Sequence, residues 1–254
     1  MKYGGSSVAD PEKIKKVATR VVDRKLEGWD VVVVVSAMGD TTDHLIALAK
    51  AVSSDPPDRE MDMLMASGEQ ISMSVLCMAI QAMGHDAVSL TGPQAEIITD
   101  SSHRRARIVD IKATRVKQEI EKGRIVIVAG FQGISDESEI TTLGRGGSDT
   151  TAVALANALK ADICEIYTDV PGVFTADPRV VKTARQLHEV SFEEMLELAS
   201  MGAKVLNSRS VELAGKYDVK LMVALAHERV PGTINKKEDS SMEQCLVRVL
   251  AHSL

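Results

Sequence analysis

The residues best able to do chemistry lie in one run, Thr141-Thr142-Leu143-Gly144-Arg145-Gly146-Gly147-Ser148-Asp149-Thr150-Thr151. It precedes an apolar stripe at helical spacing through Ala152, Val153, Leu155, Ala156 and Leu159. Glycines let backbone N–H groups approach an anion, and a helix N-terminus adds a favourable dipole. Arg145 adds a planar fork that can hold a carboxylate or phosphate through two hydrogen bonds. Ser148 and Asp149 read as N-cap residues of the helix. The run matches neither the Walker pattern, since no Gly-Lys-Ser/Thr follows, nor the dinucleotide fingerprint, whose third glycine is missing. A second glycine-rich turn, Lys2-Tyr3-Gly4-Gly5-Ser6-Ser7, brings a lysine and lies far away in sequence.

These turns need elements to hold them. Asp10-Pro11-Glu12 is a helix start, followed by Ile14, Val17, Ala18, Val21 and Val22 at helical spacing, with Gly28 as a stop. Val31 to Val35 is an unbroken β-branched run, expected of a strand buried on both faces of a parallel sheet. It ends in Ser36-Ala37-Met38-Gly39-Asp40-Thr41-Thr42-Asp43, a polar turn leading into a helix, which is where open α/β sheets place ligands. Met61 to Met83 predicts one or two core helices, interrupted by Ser67-Gly68-Glu69-Gln70, which taken alone reads as a kink with an exposed acid. Ala87 to Leu90 and Ile125 to Ala129 read as strands, and Val116 and Ile120 lie on a helix stopped by Gly123. The basic segment from Asp100 to Arg107 reads as a solvated face or a lid, and Ile134 to Thr142 as a β-hairpin.

Ile163 to Tyr167 is a further strand, ending in Thr168-Asp169-Val170-Pro171-Gly172 and an irregular stretch through Arg179. Ser191-Phe192-Glu193-Glu194 is a capping box, with Phe192, Met195, Leu196 and Ala199 behind it. Another helix follows around Val211 to Tyr217, and Lys220 to Ala224 reads as the final strand. This alternation predicts a doubly wound α/β domain, an αβα three-layer sandwich on a mostly parallel open sheet. If the turns at Ser36, Gly144 and Thr168 share one edge of the sheet, they surround a single ligand.

The 254 residues carry a net charge of −6, which argues against nucleic acid as a general partner. Three widely spaced cysteines, Cys77, Cys164 and Cys245, form no metal-binding spacing and read as reduced structural thiols. No apolar run reads as a membrane span and no signal peptide precedes the first motif, so a soluble cytoplasmic protein is expected.

Several segments together resemble aspartokinase, a member of the amino-acid-kinase superfamily that makes 4-phospho-L-aspartate from L-aspartate and ATP. They are Lys2 through Val8, Ser36-Ala37-Met38, Ser67-Gly68-Glu69, Gly130-Phe131-Gln132-Gly133, Thr141 through Thr151, Thr168 through Val173 and Phe192-Glu193-Glu194-Met195. The resemblance runs in order along nearly the whole chain, and the Ser-Gly-Glu helix combined with the Gly-Arg-Gly-Gly-Ser-Asp-Thr-Thr loop is its most specific part. It implies that Lys2 lies across the phosphates and the acceptor carboxylate, held by Asp149. Arg145 would take a substrate carboxylate and Glu69 the substrate ammonium. Ser36, Thr42 and Ser148 would complete the amino-acid site. Tyr3, Gly4, Gly5 and Ser6 would cradle the phosphates, while Thr168, Asp169, Phe174, Asp177, Arg179 and Lys204 would line the nucleotide side. Mg²⁺ would be held mainly by the phosphates, with no protein metal site, and a homodimer is expected.

The resemblance also marks departures. Aspartokinases carry a short strand before the lysine-glycine motif, where this chain has only Met1, so Lys2 is expected to be weakly anchored. Residues 1–234 would form the catalytic domain, its N-terminal part binding the amino acid and its C-terminal part ATP. Residues 235–254 would be a linker and stub of the ACT regulatory region, so feedback inhibition is expected to be absent. The competing readings are a kinase for another amino acid or for carbamate, and a truncated nucleotide-binding domain with little activity. Glu69 discriminates among the first group, because an acid facing the substrate amine is pointless if that amine is acylated.

Overall fold

A computed structural model describes residues 1–200 and 205–237. Lys204, Cys245 and nearly all of the 235–254 stub therefore lie outside the described residues. The large sheet has eight strands in the order β10-β12-β11-β9-β1-β2-β6-β3. In chain order these are β1 (Lys2–Tyr3), β2 (Val32–Val35), β3 (Ala87–Leu90), β6 (Ile125–Ala129), β9 (Cys164–Thr168), β10 (Glu189–Ser191), β11 (Leu221–Leu225) and β12 (Thr233–Lys236). Among the described residues every pairing in this sheet is parallel except β11 against β12.

Helices cover both faces, as the buried valine run requires. Helix α1 (Pro11–Leu26) and helix α3 (Asp58–Ala82) pack one face, where Val17, Val21, Leu76 and Ile80 meet Val33, Val35, Ile125 and Ile127. On the other face lie α4 (Thr114–Glu121), α5 (Gly147–Leu159), α6 (Phe192–Ser200) and α7 (Ser208–Tyr217). There Val153, Leu155, Met195 and Val211 share a core with Val34, Val126 and Val128. Helix α2 (Thr41–Val52) follows β2 and contributes no fully buried residue. Each fully buried Val, Leu or Ile is worth roughly 1.5–3 kcal/mol, so the two cores outweigh any local propensity.

Several elements depart from the sequence reading. The Met-rich stretch is one 25-residue helix, long and apolar enough by length and composition to cross a membrane; about half of its apolar window is buried, against the sheet and α1. A second, four-stranded sheet, β5-β4-β7-β8, joins the expected hairpin β7 (Gln132–Ser135) and β8 (Ile140–Thr142) to β4 (Ile97–Thr99) and β5 (Ile108–Ile111). Neither of the added strands shows clean alternation, and a register shift at Ile98 and Thr99 blurs it further. β12 extends the large sheet beyond the expected final strand through Lys236, with Asn235 almost fully buried. The capping box forms as expected: Ser191 N donates to Glu194 Oε2 at 2.8 Å, and Glu194 N to Ser191 Oγ at 3.1 Å.

Candidate active site

Lys2 is not at a frayed end. Lys2 and Tyr3 themselves form the central strand, Lys2 in register with Val34 on one side and Ile166 on the other. The Met1 ammonium donates to Val32 O at 2.8 Å, and Val34 N donates to Met1 O at 2.8 Å. Strand alternation then decides the two side chains. The Tyr3 ring is fully buried, stacked on Tyr167 at 4.8 Å, so it does not serve the pocket and only its backbone can. The Lys2 side chain emerges on the other face and meets Asp149 Oδ1 at 2.7 Å.

Asp149 reaches that position because the glycine loop starts α5 differently from the sequence reading. Gly146, not Ser148 or Asp149, is the N-cap, with a left-handed φ of 73°, and its carbonyl accepts from Thr150 N at 3.1 Å. A Cβ at Gly146 would run into the Asn207 side chain, so glycine is required twice over. With the cap supplied by backbone, Ser148 and Asp149 sit in the first turn and their side chains face the pocket. Arg145 stands between two left-handed glycines, exposed, with no side-chain partner among the described residues. Its fork is free for an anion.

Glu69 lines the same pocket, and here the exposed-acid reading fails. α3 approaches the turn after β2 so closely that a Cβ on Gly68 would lie 2.9 Å from Ala37 Cβ. Glu69 is consequently 4% exposed. Its Oε1 accepts from Ala37 N at 3.1 Å, while Oε2 is buried without a hydrogen-bond partner. Burial pushes its carboxyl up to about 7, partly offset by the Ala37 amide. A buried acid oxygen with no donor is a socket for a cation. Ser72 Oγ donates to Ser36 O at 2.7 Å and fixes the same turn.

Lys2, Gly4, Gly5, Ser36, Thr42, Glu69, Arg145, Ser148 and Asp149 therefore line one open pocket of about 330 Å³. Phe131, which has φ 69°, also lines it. The sequence assigned Phe131 no role, although a glycine directly between a buried strand and the hairpin marked an abrupt turn there. A larger cavity of about 640 Å³ lies beside Val32, Leu155, Leu159 and Cys164. It is at the opposite end of β1 and mostly apolar, and neither glycine turn reaches it.

The remaining expected residues stand outside the pocket. Ser6 is exposed in a short 3₁₀ turn. Register places Thr168 beside Gly4, since Tyr3 pairs with Tyr167 just before them. Thr168 Oγ1 donates to Asp169 Oδ1 at 3.0 Å. Phe174 bridges to Gln186, and Asp177 pairs with Arg179 at 2.8 Å, which pulls the Asp177 carboxyl down to about 2. None of these residues lines the pocket. Among the described residues no three His, Cys, Asp or Glu side chains converge to hold a metal. The whole arrangement offers glycine-turn amides and a lysine suited to an anion, and an acid and a guanidinium in one pocket suited to a small zwitterion.

Known proteins share this architecture. The chain is 57% identical over 254 residues to aspartokinase of Mycolicibacterium smegmatis, covering 99% of this chain and 60% of that one. It is 59% identical over 246 residues to aspartokinase 2 of Bacillus subtilis, covering 97% and 60%. The crystal structure of E. coli aspartokinase III in complex with aspartate and ADP superposes with a TM-score of 0.85 at 27% identity, covering 94% of this chain and 64% of that one. The chain thus spans about 60% of the length of these two relatives. A family model for the amino acid kinases matches residues 1–224, the stretch that holds every pocket residue, and the chain belongs to the amino acid kinase family.

Proposed function

We propose that this chain transfers the γ-phosphoryl group of ATP to the β-carboxylate of L-aspartate, giving 4-phospho-L-aspartate and ADP. The observation that carries the reading is Glu69: a buried carboxylate with one free oxygen, in the same pocket as an unpartnered Arg145. A free ammonium suits the first and a carboxylate the second. The relative of known structure binds aspartate and ADP, as its description states.

The β-carboxylate is ionised at neutral pH, so no general base is needed. One of its oxygens attacks the γ-phosphorus as the bond to the β-phosphate oxygen breaks, and ADP departs with that electron pair. The chain's contribution is positioning and charge stabilisation. Lys2, steered by Asp149, neutralises charge on the transferring phosphoryl oxygens; the turn at Gly4 and Gly5, with the glycine loop, aims N–H groups at the phosphates. Ser36, Thr42 and Ser148 fix the amino acid. The nucleotide side falls to Thr168, Asp169, Phe174, Asp177 and Arg179, with Lys204 assigned by the resemblance alone. Mg²⁺, held mainly by the phosphates, would supply further charge neutralisation. This divides the labour between an N-terminal amino-acid part and a C-terminal nucleotide part. A cytoplasmic homodimer fits a biosynthetic enzyme drawing on free aspartate and ATP. The reading of an inactive nucleotide-binding domain loses its motive, because β1 is paired on both sides.

The test is ATP-dependent hydroxamate formation with aspartate, Mg²⁺ and hydroxylamine, with glutamate as control and Lys2→Ala in parallel. An aspartate-specific signal lost in the variant supports the proposal. Nucleotide binding without any hydroxamate overturns it.

A further inference from the structure

Outside the pocket, the most heavily used buried side chain is Asp62, on α3. It is 0% exposed and does not line the pocket. Its Oδ1 accepts from Thr142 Oγ1 at 2.5 Å, and its two oxygens accept from Arg104 N at 3.1 and 3.0 Å. Oδ2 also meets His103 Nδ1 at 2.8 Å. The segment from Asp100 to Arg107 is largely exposed, as expected of a solvated face, but is anchored to α3 at His103 and Arg104.

The two things Asp62 holds both border the glycine loop. Thr142 ends β8 and lies three residues before Arg145. Arg104 O packs against Gly144, within 3.0 Å of where a Cβ would stand. Arg209 closes the far side by donating to Leu143 O at 3.0 Å and Ala106 O at 3.2 Å. On α3 itself, Glu69 follows Asp62 by seven residues, two helical turns on nearly the same face and about 10 Å along the axis. One rigid helix thus carries Glu69 at one point and grips the root of the Arg145 loop at the other. Gln132 Nε2, donating to Ala66 O at 2.8 Å, ties the neighbouring hairpin strand to the helix between them.

We propose that Asp62 is a positioning residue that fixes the Arg145 loop relative to α3, so that the ammonium clamp, Glu69, and the carboxylate clamp, Arg145, engage one amino acid together. The inference rests on the aspartate-kinase reading and deepens it. Four contacts from one carboxylate leave the loop root little freedom, so both clamps are held ready for the same substrate molecule. Releasing the grip lets the Arg145 loop shift relative to α3, while Lys2 stays paired on both sides in β1.

The test compares wild type with Asp62→Asn, Thr142→Val and Thr142→Ser. The expected result for Asp62→Asn and Thr142→Val is a KM for aspartate raised about tenfold or more. Their kcat should stay within about threefold, and KM for ATP should not move. Thr142→Ser, which keeps the hydroxyl, should restore wild-type values. An unchanged aspartate KM in folded variants overturns the proposal. So does a uniform loss of kcat and both KM values that tracks melting temperature. Should wild type lack aspartate-dependent turnover, the functional reading fails, and the positioning claim is judged by hydrogen exchange. Amides 143–147 should then exchange at least about tenfold faster in Asp62→Asn with the α1 amides unchanged, and equal protection overturns it.

Discussion

Replacing Glu69 by Gln should make the protein more stable and less able to bind its amino acid. Burial raises the Glu69 carboxyl from an ordinary 4.5 to about 7. At about 1.4 kcal/mol per tenfold change in proton affinity, that disfavours the ionised form in the folded state by about 3 kcal/mol. Between pH 4.5 and 7 the folded state keeps a proton that the unfolded chain has released, so this group lowers stability as pH rises through that window. Gln retains an oxygen for the Ala37 amide and carries no charge. At pH 8 the variant should therefore melt about 6–12 °C above wild type, at roughly 2–4 °C per kcal/mol for a domain of this size. At pH 5 the gain should shrink to less than about 1 kcal/mol, because the folded carboxyl is already neutral there. Losing the charge opposite the substrate ammonium should cost aspartate binding about 2–5 kcal/mol, or at least about thirtyfold in affinity. Wild type at pH 6 should release close to one proton on binding aspartate, read by calorimetry in buffers of different ionisation enthalpy; the variant should release almost none. A Glu69→Gln protein that melts at or below wild type at pH 8, with wild-type stability flat from pH 5 to 8, would refute the reasoning.

Two further substitutions separate the site from its scaffold. Gly68→Ala brings a methyl to 2.9 Å from Ala37 Cβ; overpacking of about 1–3 kcal/mol should exceed the gain of about 1 kcal/mol in helix propensity, and aspartate KM should rise as Glu69 is levered from the turn. Thermal melts and initial rates check both halves. Ser191→Ala removes the cap of α6 and should lower the melting temperature by about 2–4 °C, with aspartate KM unchanged; a kinetic effect there would show that α6 is coupled to the pocket.

Much of this was legible in the sequence because the signals were local. Five β-branched or apolar residues in a row, at Val31 to Val35 and again at Ile125 to Ala129, specify buried strands before any neighbour is known. Asp10-Pro11 and Ser191-x-x-Glu194 carry their capping geometry within four residues. What escaped depends on partners distant in sequence. A two-residue strand has no period, and Lys2–Tyr3 is a strand only because β2 and β9 flank it. Glu69 looked exposed because helical spacing cannot reveal that Gly68 admits another turn against the helix. Asp62 gave no signal at all, since its partners lie 41 to 80 residues away. β12 was hidden by the charged residues around it, although Asn235 and Thr233 are buried.

The placement of β1 also sets an order of events in time. Its neighbour β2 is made about thirty residues later, but β9 only after residue 164, and the Lys2–Asp149 pair spans almost as much chain. At roughly 5–20 residues per second, Lys2 and Tyr3 wait about ten to thirty seconds for the strand that completes their pairing. Such non-local closure slows folding and leaves β2 with an open edge meanwhile. It also makes the Lys2–Asp149 contact one of the long-range contacts that wait on closure of the sheet. Recovery of activity after denaturation should therefore lag behind recovery of helix, and would time the closing of the sheet.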